Sequence, residues 1–333
     1  MAARFDVERF PRVSLGHGPT PLEEMPRLAA HLGGPPLLVK RDDCTGLALG
    51  GNKVRKLEYL LAEARADGAD TVITVGGVQS NHARQTAAAA ARIGLRCELV
   101  LPRMVERYDA LYEENGNVLL DRLLGAGVHV VQDAEAATAK VLELGAAAEA
   151  AGGKAAFLPA GGSTATGALG YVRAAIELTE QCESRGLAPS RIVLAASTGG
   201  TQAGLVSGLA ALESAIRVLG IAVYDTPEAT AQRVRDLADA TSGRLGRSRV
   251  AGDRIDVRGG YLGDGYGIPT EGMREALDLA ARLEGLLLDP VYSGKAMAGL
   301  VDLARSGSLG GRNDAPVVFL HTGGTPALFA YGS

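Results

Sequence analysis

Residues 71–102 read TVITVGGVQSNHARQTAAAAARIGLRCELVLP. The β-branched apolar run TVITV reaches the diglycine Gly76-Gly77, and HARQTAAAAARIGL (His82 to Leu95) follows with helical spacing. CELVLP (Cys97 to Pro102) is apolar and strand-like again. Ser80 and Asn81 stand where a helix N-cap is favoured. A strand, a helix and a second strand joined by short turns point to an α/β fold around parallel sheets.

The alternation extends in both directions. LLVKRDD (Leu37–Asp43) predicts a strand and VRKLEYLLAEARADGA (Val54–Ala69) a helix closing on glycine. VLLDRLLGAGVHVVQ, GKAAFLPAGG, ALGYVRAAIELTEQC, RIVLAASTGG, LVSGLAALE, RVLGIAVYD and PVVFLHTGG continue it, whereas RMVERYDALYEE (residues 103–114) is the most loop-like part. Ligands of such folds sit beyond the carboxyl ends of strands, which singles out the loops GGVQSN, ASTGGTQ and HTGG. Neither a GxGxxG after the first strand nor a GxxxxGK[ST] is present, and no GxSxG.

Composition narrows the function classes. With 333 residues, 47% of them hydrophobic, the chain supports a large core and two domains more readily than one. A net charge of −4 and no basic block argue against nucleic acid as a partner. Cys44, Cys97 and Cys182 are too few and too scattered for a disulfide framework, which suits a reducing compartment. MAARFDVERF carries charges where a signal peptide needs its apolar stretch. No run approaches the roughly 18 apolar residues of a membrane span, so a cytoplasmic protein without membrane contact is expected. The five histidines show no metal-ligand spacing, and no metal site is expected.

Five stretches carry candidate chemistry. In ALGGNKVRKL (Ala48–Leu57), Lys53 reads either as a surface cation or as a Schiff-base lysine, with Lys56 one turn on to lower its pKa or reach a phosphate. Ser197-Thr198-Gly199-Gly200-Thr201 lies between an apolar run and a helical pattern. There it forms either a phosphate cradle or a capped turn. Ser80-Asn81-His82 opens a helix, either as a cap or facing a ligand. Tyr266 in GDGYGIPTEG and Tyr292 in LLLDPVYSGKAMAGL are packing residues or, beside a cofactor, proton donors or carboxylate ligands. Lys295 reads as a helix-start cation.

Taken together, PTPLE, VKRDD, GGNKVRKLEYL, QSNHARQTAAAAA, NGNVLLD, GGSTATGALGY, TGGTQAGL, YGIPTEGM, LLLDPVYSGKAMAGL and FLHTGG resemble the fold type II pyridoxal-phosphate enzymes. That family includes D-cysteine desulfhydrase, L-cysteate sulfo-lyase and 1-aminocyclopropane-1-carboxylate deaminase. The resemblance runs from Pro19 to beyond Gly324. It implies a tryptophan-synthase-β-like architecture, two open twisted α/β domains with pyridoxal 5'-phosphate between them. Residues 52–158 would form the small domain, and residues 1–51 with 159–333 the large one.

By the same likeness Lys53 is the cofactor-bonding lysine, with Asn52 beside it, and Asn81 faces the cofactor's phenolic oxygen. Ser197 to Thr201 with Lys56 form the phosphate cradle. Ser80, Asn81, His82, Gly162, Tyr266 and Tyr292 surround a small amino-acid substrate, and Lys53, Ser80, Tyr266 and Tyr292 are the catalytic candidates. A homodimer is also implied.

In the deaminases a glutamate follows the second tyrosine and meets the pyridine nitrogen; here that residue is Ser293, which leaves Thr322 as the polar partner. A neutral partner suits β-elimination of a good leaving group. D-Cysteine, giving pyruvate, hydrogen sulfide and ammonia, is therefore the leading expectation. The alternatives are L-cysteate, whose sulfonate would need a cation such as Arg103 or Arg107, the cyclopropane deaminase, and a non-catalytic α/β protein binding a phosphate ligand.

Overall fold

The computed structural model describes residues 6–309 and 315–332, so the first five residues of the MAARFDVERF opening lie outside the described residues. In chain order its elements are β1 (Leu22–Glu24), α1 (Pro26–Leu32), β2 (Leu37–Arg41), α2 (Lys53–Ala66), β3 (Thr71–Val75), α3 (Asn81–Ile93) and β4 (Arg96–Pro102). Next come α4 (Ala110–Glu114), α5 (Gly116–Leu123), β5 (Gly127–Val131), α6 (Ala134–Ala150), β6 (Ala155–Leu158), α7 (Ala165–Ser184), β7 (Arg191–Ala196), α8 (Gly200–Ala211) and β8 (Arg217–Ala222). The chain ends with α9 (Pro227–Arg244), β9 (Ile255–Arg258), α10 (Glu271–Glu284), α11 (Ser293–Arg305), β10 (Val317–His321) and α12 (Pro326–Tyr331).

Two sheets organise these elements into two parallel-sheet domains. A four-stranded sheet, in the order β5-β4-β3-β6, is parallel throughout. A six-stranded sheet, in the order β1-β2-β10-β7-β8-β9, is parallel except for β1, which runs against β2. Val72, Ile73, Thr74, Val193, Leu194, Val318 and Phe319 are buried on successive positions rather than alternate ones, because helices cover both faces of each sheet.

The opening stretch folds as the βαβ unit its pattern predicts, with small boundary shifts. Ser80 caps α3 by accepting the Ala83 amide at 3.1 Å, and Gly94 ends it in the left-handed conformation. Ala83, Ala87, Ala88, Ala89 and Ala90 are all buried, and their small side chains let α3 lie close on its sheet. The helix expected to run to Ala69 stops at Ala66. The strand expected to reach Asp43 ends at Arg41, where a short 3₁₀ turn takes over at Asp42. That turn delivers the Asp42 carboxylate to Arg55 instead of continuing the ladder. The loop-like region is irregular from Arg103 to Asp109, then forms α4.

A buried polar network locks β2, α2 and α7 together. The Arg55 guanidinium donates to both oxygens of Asp42, at 2.8 and 3.0 Å, and to both oxygens of Glu177, at 2.9 and 3.0 Å. Lys40 completes it by donating to Glu177, Gln181 and the Thr20 carbonyl, and Tyr171 donates to Asp42. Helix α2 lies so close on α7 that a Cβ on Gly170 would sit 2.1 Å from the Arg55 carbonyl oxygen. Among the described residues no helix is long and apolar enough to cross a membrane, and no group of three or more His, Cys, Asp or Glu could hold a metal ion. Cys44, Cys97 and Cys182 are free thiols.

Candidate active site

The carboxyl ends of both sheets open onto one cavity. Its wall takes Gly76, Gly77, Ser80, Asn81 and His82 from the turn after β3, and Ser197, Thr198, Gly199 and Thr201 from the turn after β7. Ala160 and Gly161 come from beyond β6, Tyr224 from beyond β8, Thr322 from beyond β10 and Met104 from beyond β4. Asn52 and Lys53 reach it from the start of α2, and Tyr266 and Tyr292 from the segments before α10 and α11. This is the strand-end location at which α/β sheets bind ligands, here supplied by two sheets at once.

No Asp, Glu or Arg is among the described residues lining the cavity; Lys53 is the ionisable amine there. Burial lowers its pKa to about 8, so roughly a tenth of it is the nucleophilic free amine at pH 7, far more than for an ordinary lysine. Lys56 is lowered further, by burial and then by the charge of Lys53, and its Nζ donates to the Gly161 carbonyl at 3.1 Å and Ser163 Oγ at 3.3 Å.

Beyond β7 the chain makes the turn that phosphate cradles require. Gly199 has φ +84° at the N-cap of α8, and the first amides of a helix have no acceptor within it. The Ser163 and Thr198 hydroxyls meet at 2.7 Å, and Asn52 Nδ2 donates to Thr201 Oγ1 at 3.0 Å. A Cβ on Gly200 would fall 2.8 Å from Ser163 Oγ and 2.9 Å from Lys56 Nζ, so glycine there lets amine and hydroxyl close on the turn. An amine, several hydroxyls and free amides at one spot fit a phosphate, and Lys53 nearby fits an aldehyde. The residues present fit pyridoxal phosphate.

The N-terminus of α3 reaches the cavity from the other sheet, with Ser80, Asn81 and His82 in the wall. His82 is neutral: burial, then the Lys53 and Lys56 charges, hold its pKa well below the usual imidazole value. Thr74 Oγ1 spends its proton on the Leu158 carbonyl at 2.7 Å, so it accepts from His82 Nε2 at 2.9 Å. His82 Nδ1 is left as a buried lone pair without a protein partner. Tyr266 and Tyr292 share a short hydrogen bond between their hydroxyls, and burial raises both phenols above their ordinary value. Lys295, read from sequence as a helix-start cation, is fully buried and donates to the Leu262 and Gly265 carbonyls at 2.7 and 3.0 Å, pinning the loop that carries Tyr266.

Most of the sequence-derived candidates meet at this cavity, with instructive exceptions. Lys56 and Gly200 stand behind the wall rather than in it. Gly161, not Gly162, faces the cavity; a Cβ on Gly162 would meet Leu60 at 2.9 Å. Thr322 lines the cavity, whereas the Ser293 hydroxyl turns away to donate to Asp289 at 2.6 Å. Arg103 is engaged by Glu113, and Arg107 pairs with Asp109 at 3.1 Å; neither lines the cavity. Sequence reasoning missed Tyr224, Gln202, Met104 and Gly161. Tyr224 was findable, because YD closes the strand pattern RVLGIAVYD and so falls at a strand end.

Comparison with known proteins converges on the same chemistry. The family model described as pyridoxal-phosphate dependent enzyme matches residues 13–323. A 1-aminocyclopropane-1-carboxylate deaminase from Rhizobium leguminosarum bv. viciae is 45% identical over 332 residues, covering 98% of this chain and 97% of its own. A D-cysteine desulfhydrase from Salmonella choleraesuis is 44% identical over 326 residues, covering 98% and 97%. A crystal structure of an ACC deaminase homologue superposes with a TM-score of 0.89 at 39% identity, over 100% of this chain and 98% of that one. Escherichia coli diaminopropionate ammonia lyase, at 17% identity and a TM-score of 0.68, shares the fold over 95% of this chain and 86% of its own.

Proposed function

The chain belongs to the pyridoxal-phosphate dependent enzymes, and from that premise we propose that it is a lyase eliminating the thiol of D-cysteine to give pyruvate, hydrogen sulfide and ammonia. The observation that carries this reading is a cavity lined by one lysine, three tyrosines and no carboxylate, with the Tyr266 and Tyr292 hydroxyls hydrogen-bonded to each other. When bound, pyridoxal phosphate supplies an electron sink conjugated with the substrate's amine. Lys56, Ser163 and the 197–201 turn would hold its phosphate, Lys53 would bond its aldehyde, Asn81 would serve its phenolic oxygen and Thr322 its ring nitrogen. With a neutral hydroxyl in that last place, a thiolate is a better match as leaving group than a carbon released by ring opening.

The proton inventory assigns the roles. Both phenols are raised, so they keep their protons at neutral pH and act as donors; Lys53, near 8, is the group able to accept. Lys53 takes the Cα proton, the Cβ–S bond breaks, and the tyrosine pair protonates the departing sulfur. Water then converts the remaining unsaturated amine to pyruvate and ammonia. With no arginine in the wall, the substrate carboxylate rests on the α3 amides and the Ser80 and Asn81 side chains. Residues 52–158 act as the small domain closing this arrangement against the large one. Family likeness also supports a cytoplasmic homodimer, which light scattering tests.

The relative named as a cyclopropane deaminase keeps that activity as a second reading. Sulfonate elimination from L-cysteate lacks its cation, since Arg103 and Arg107 are engaged elsewhere.

The loaded protein is expected to release pyruvate and sulfide from D-cysteine, with little from L-cysteine, L-cysteate or 1-aminocyclopropane-1-carboxylate. Release of 2-oxobutyrate from the cyclopropane at a higher kcat/KM would transfer the assignment to the deaminase. Tyr292→Phe is expected to lower kcat on D-cysteine by about 10²-fold. It should do far less on β-chloro-D-alanine, whose chloride leaves without a proton. Equal losses on both substrates would remove the tyrosines from the acid role.

A further inference from the structure

Behind Asn81, on the side away from the cavity, stands a second buried network that the reaction scheme does not use. Arg84 is fully buried on α3, one turn after Asn81. Its Nη2 donates to the Gly50 carbonyl at 2.6 Å and its Nη1 to Asn117 Oδ1 at 3.0 Å. Asn117, at the start of α5 and also fully buried, donates from Nδ2 to the Gln79 carbonyl at 3.1 Å and to Asn81 Oδ1 at 3.0 Å.

The amide orientations in this chain follow from groups with no choice of role. A guanidinium only donates and a backbone carbonyl only accepts. Between Arg84 and the Gln79 carbonyl, Asn117 must turn its oxygen to the former and its nitrogen to the latter. The second Nδ2 proton of Asn117 then fixes Asn81 Oδ1 toward itself, and Asn81 Nδ2 is turned the other way. Asn81 lines the cavity, and among the described residues its Nδ2 has no protein acceptor. Aligned amides polarise one another, so the Arg84 charge reaches the cavity as a strengthened N–H donor.

We propose that Arg84 and Asn117 are positioning residues: they set the Asn81 amide donor-inward and carry the Arg84 charge to it, so that the cofactor oxygen it meets is held as an anion. Among the described residues no carboxylate forms an ion pair with Arg84, although Asp121 and Asp289 act on it from farther off. The nearest carboxylate on α5 is Asp121, whose two oxygens have no hydrogen-bond partner. Burial raises Asp121 to about 8, against the pull of Arg84, so it is largely neutral at pH 7. Asp289 acts on Arg84 from the segment before α11, and Lys53, Lys56 and His82 stand on the cavity side. Arg84 itself is lowered by burial only to about 10 and stays charged.

This inference rests on the cofactor reading above, and its test separates the two. The visible absorption of the cofactor-loaded protein is titrated with pH in the absence of substrate. In Asn117→Asp, the carboxylate satisfies Arg84 and sets an acceptor where Asn81 Oδ1 had its 3.0 Å donor; Arg84 Nη1, at 3.5 Å, is the weak donor left to that oxygen, so the Asn81 amide turns over to give Nδ2 to the carboxylate and presents oxygen to the cavity. The midpoint of the visible titration is expected to rise by about one unit or more, and cofactor release to quicken. Asn117→Ala, which frees the amide without reversing it, should shift the midpoint the same way by less. It serves where the aspartate variant does not fold. An unchanged midpoint in a coloured Asn117→Ala protein, beside a shifted one in Asn81→Ala, would overturn the relay. A wild-type protein that binds no pyridoxal phosphate would instead overturn the cofactor reading.

Discussion

Replacing Lys53 by alanine is expected to lower turnover of D-cysteine by roughly 10⁴-fold, the upper range for loss of a positioned base. The visible band of the bound cofactor should vanish with it. Lys53 is the lysine whose amine opens into the cavity, while Lys56 is engaged by Gly161 and Ser163 behind the wall. No other described lining residue offers an amine, so nothing nearby substitutes. Lys53→Arg keeps the charge but cannot form the bond, and should fail equally. The lowered pKa adds a kinetic signature. The free amine is the reactive form, so the rate at which the apo-protein captures pyridoxal phosphate should rise with pH through about 8, not near the ordinary 10.5. Turnover retained by Lys53→Ala, or a capture profile still climbing near pH 10, would remove Lys53 from this role.

The residues that define the cavity were legible in proportion to how local their signals are. Ser80, Asn81 and the 197–201 turn are read from strand-then-helix patterns within about ten residues, and hydrogen bonds within the same turn cap α3 at Ser80. The patterns located these stretches at strand ends but left each open, as cap or ligand contact; Lys53 likewise stayed open as a surface cation, and resemblance to a family made all of them site residues.

Buried charge is where single-sequence reading fails. Arg84 sits in HARQTAAAAARIGL like an ordinary solvent-facing helix residue, yet it is fully buried because Gly50 and Asn117, brought from other segments, accept its protons. Asp42 looks like the continuation of a strand because its partner Arg55 lies beyond the next turn. Arg103 and Arg107 err in the opposite direction. They look free for a sulfonate, but Glu113 and Asp109, close by in the chain, already hold them.

Removing the Arg55 side chain should produce the largest loss of stability, and the loss should depend on pH in a specified way. Arg55→Ala leaves Asp42, which is fully buried, and Glu177 without their shared cation. Breaking one partner from a buried pair costs about 3–5 kcal/mol. For Glu177, burial by itself would raise the carboxyl, but the Arg55 hydrogen bonds and charge, then Lys40, hold it down at about 2 against an ordinary 4.5. A depressed folded-state pKa stabilises above the unfolded value, and that stabilisation drains away as pH falls from about 4.5 toward 2. At neutral pH it amounts to on the order of 3 kcal/mol.

Chemical unfolding at pH 7 and pH 3 should therefore show the wild type losing more stability on acidification than Arg55→Ala, which has already lost the larger part of this stabilisation and keeps only the share from Lys40. Equal losses would place the acid sensitivity elsewhere. The consequence for chemistry comes through geometry. Arg55 lies on α2 between Lys53 and Lys56, so the network that holds the helix to α7 also sets where both amines stand. Acid that protonates Glu177 should thus weaken cofactor retention before the protein unfolds.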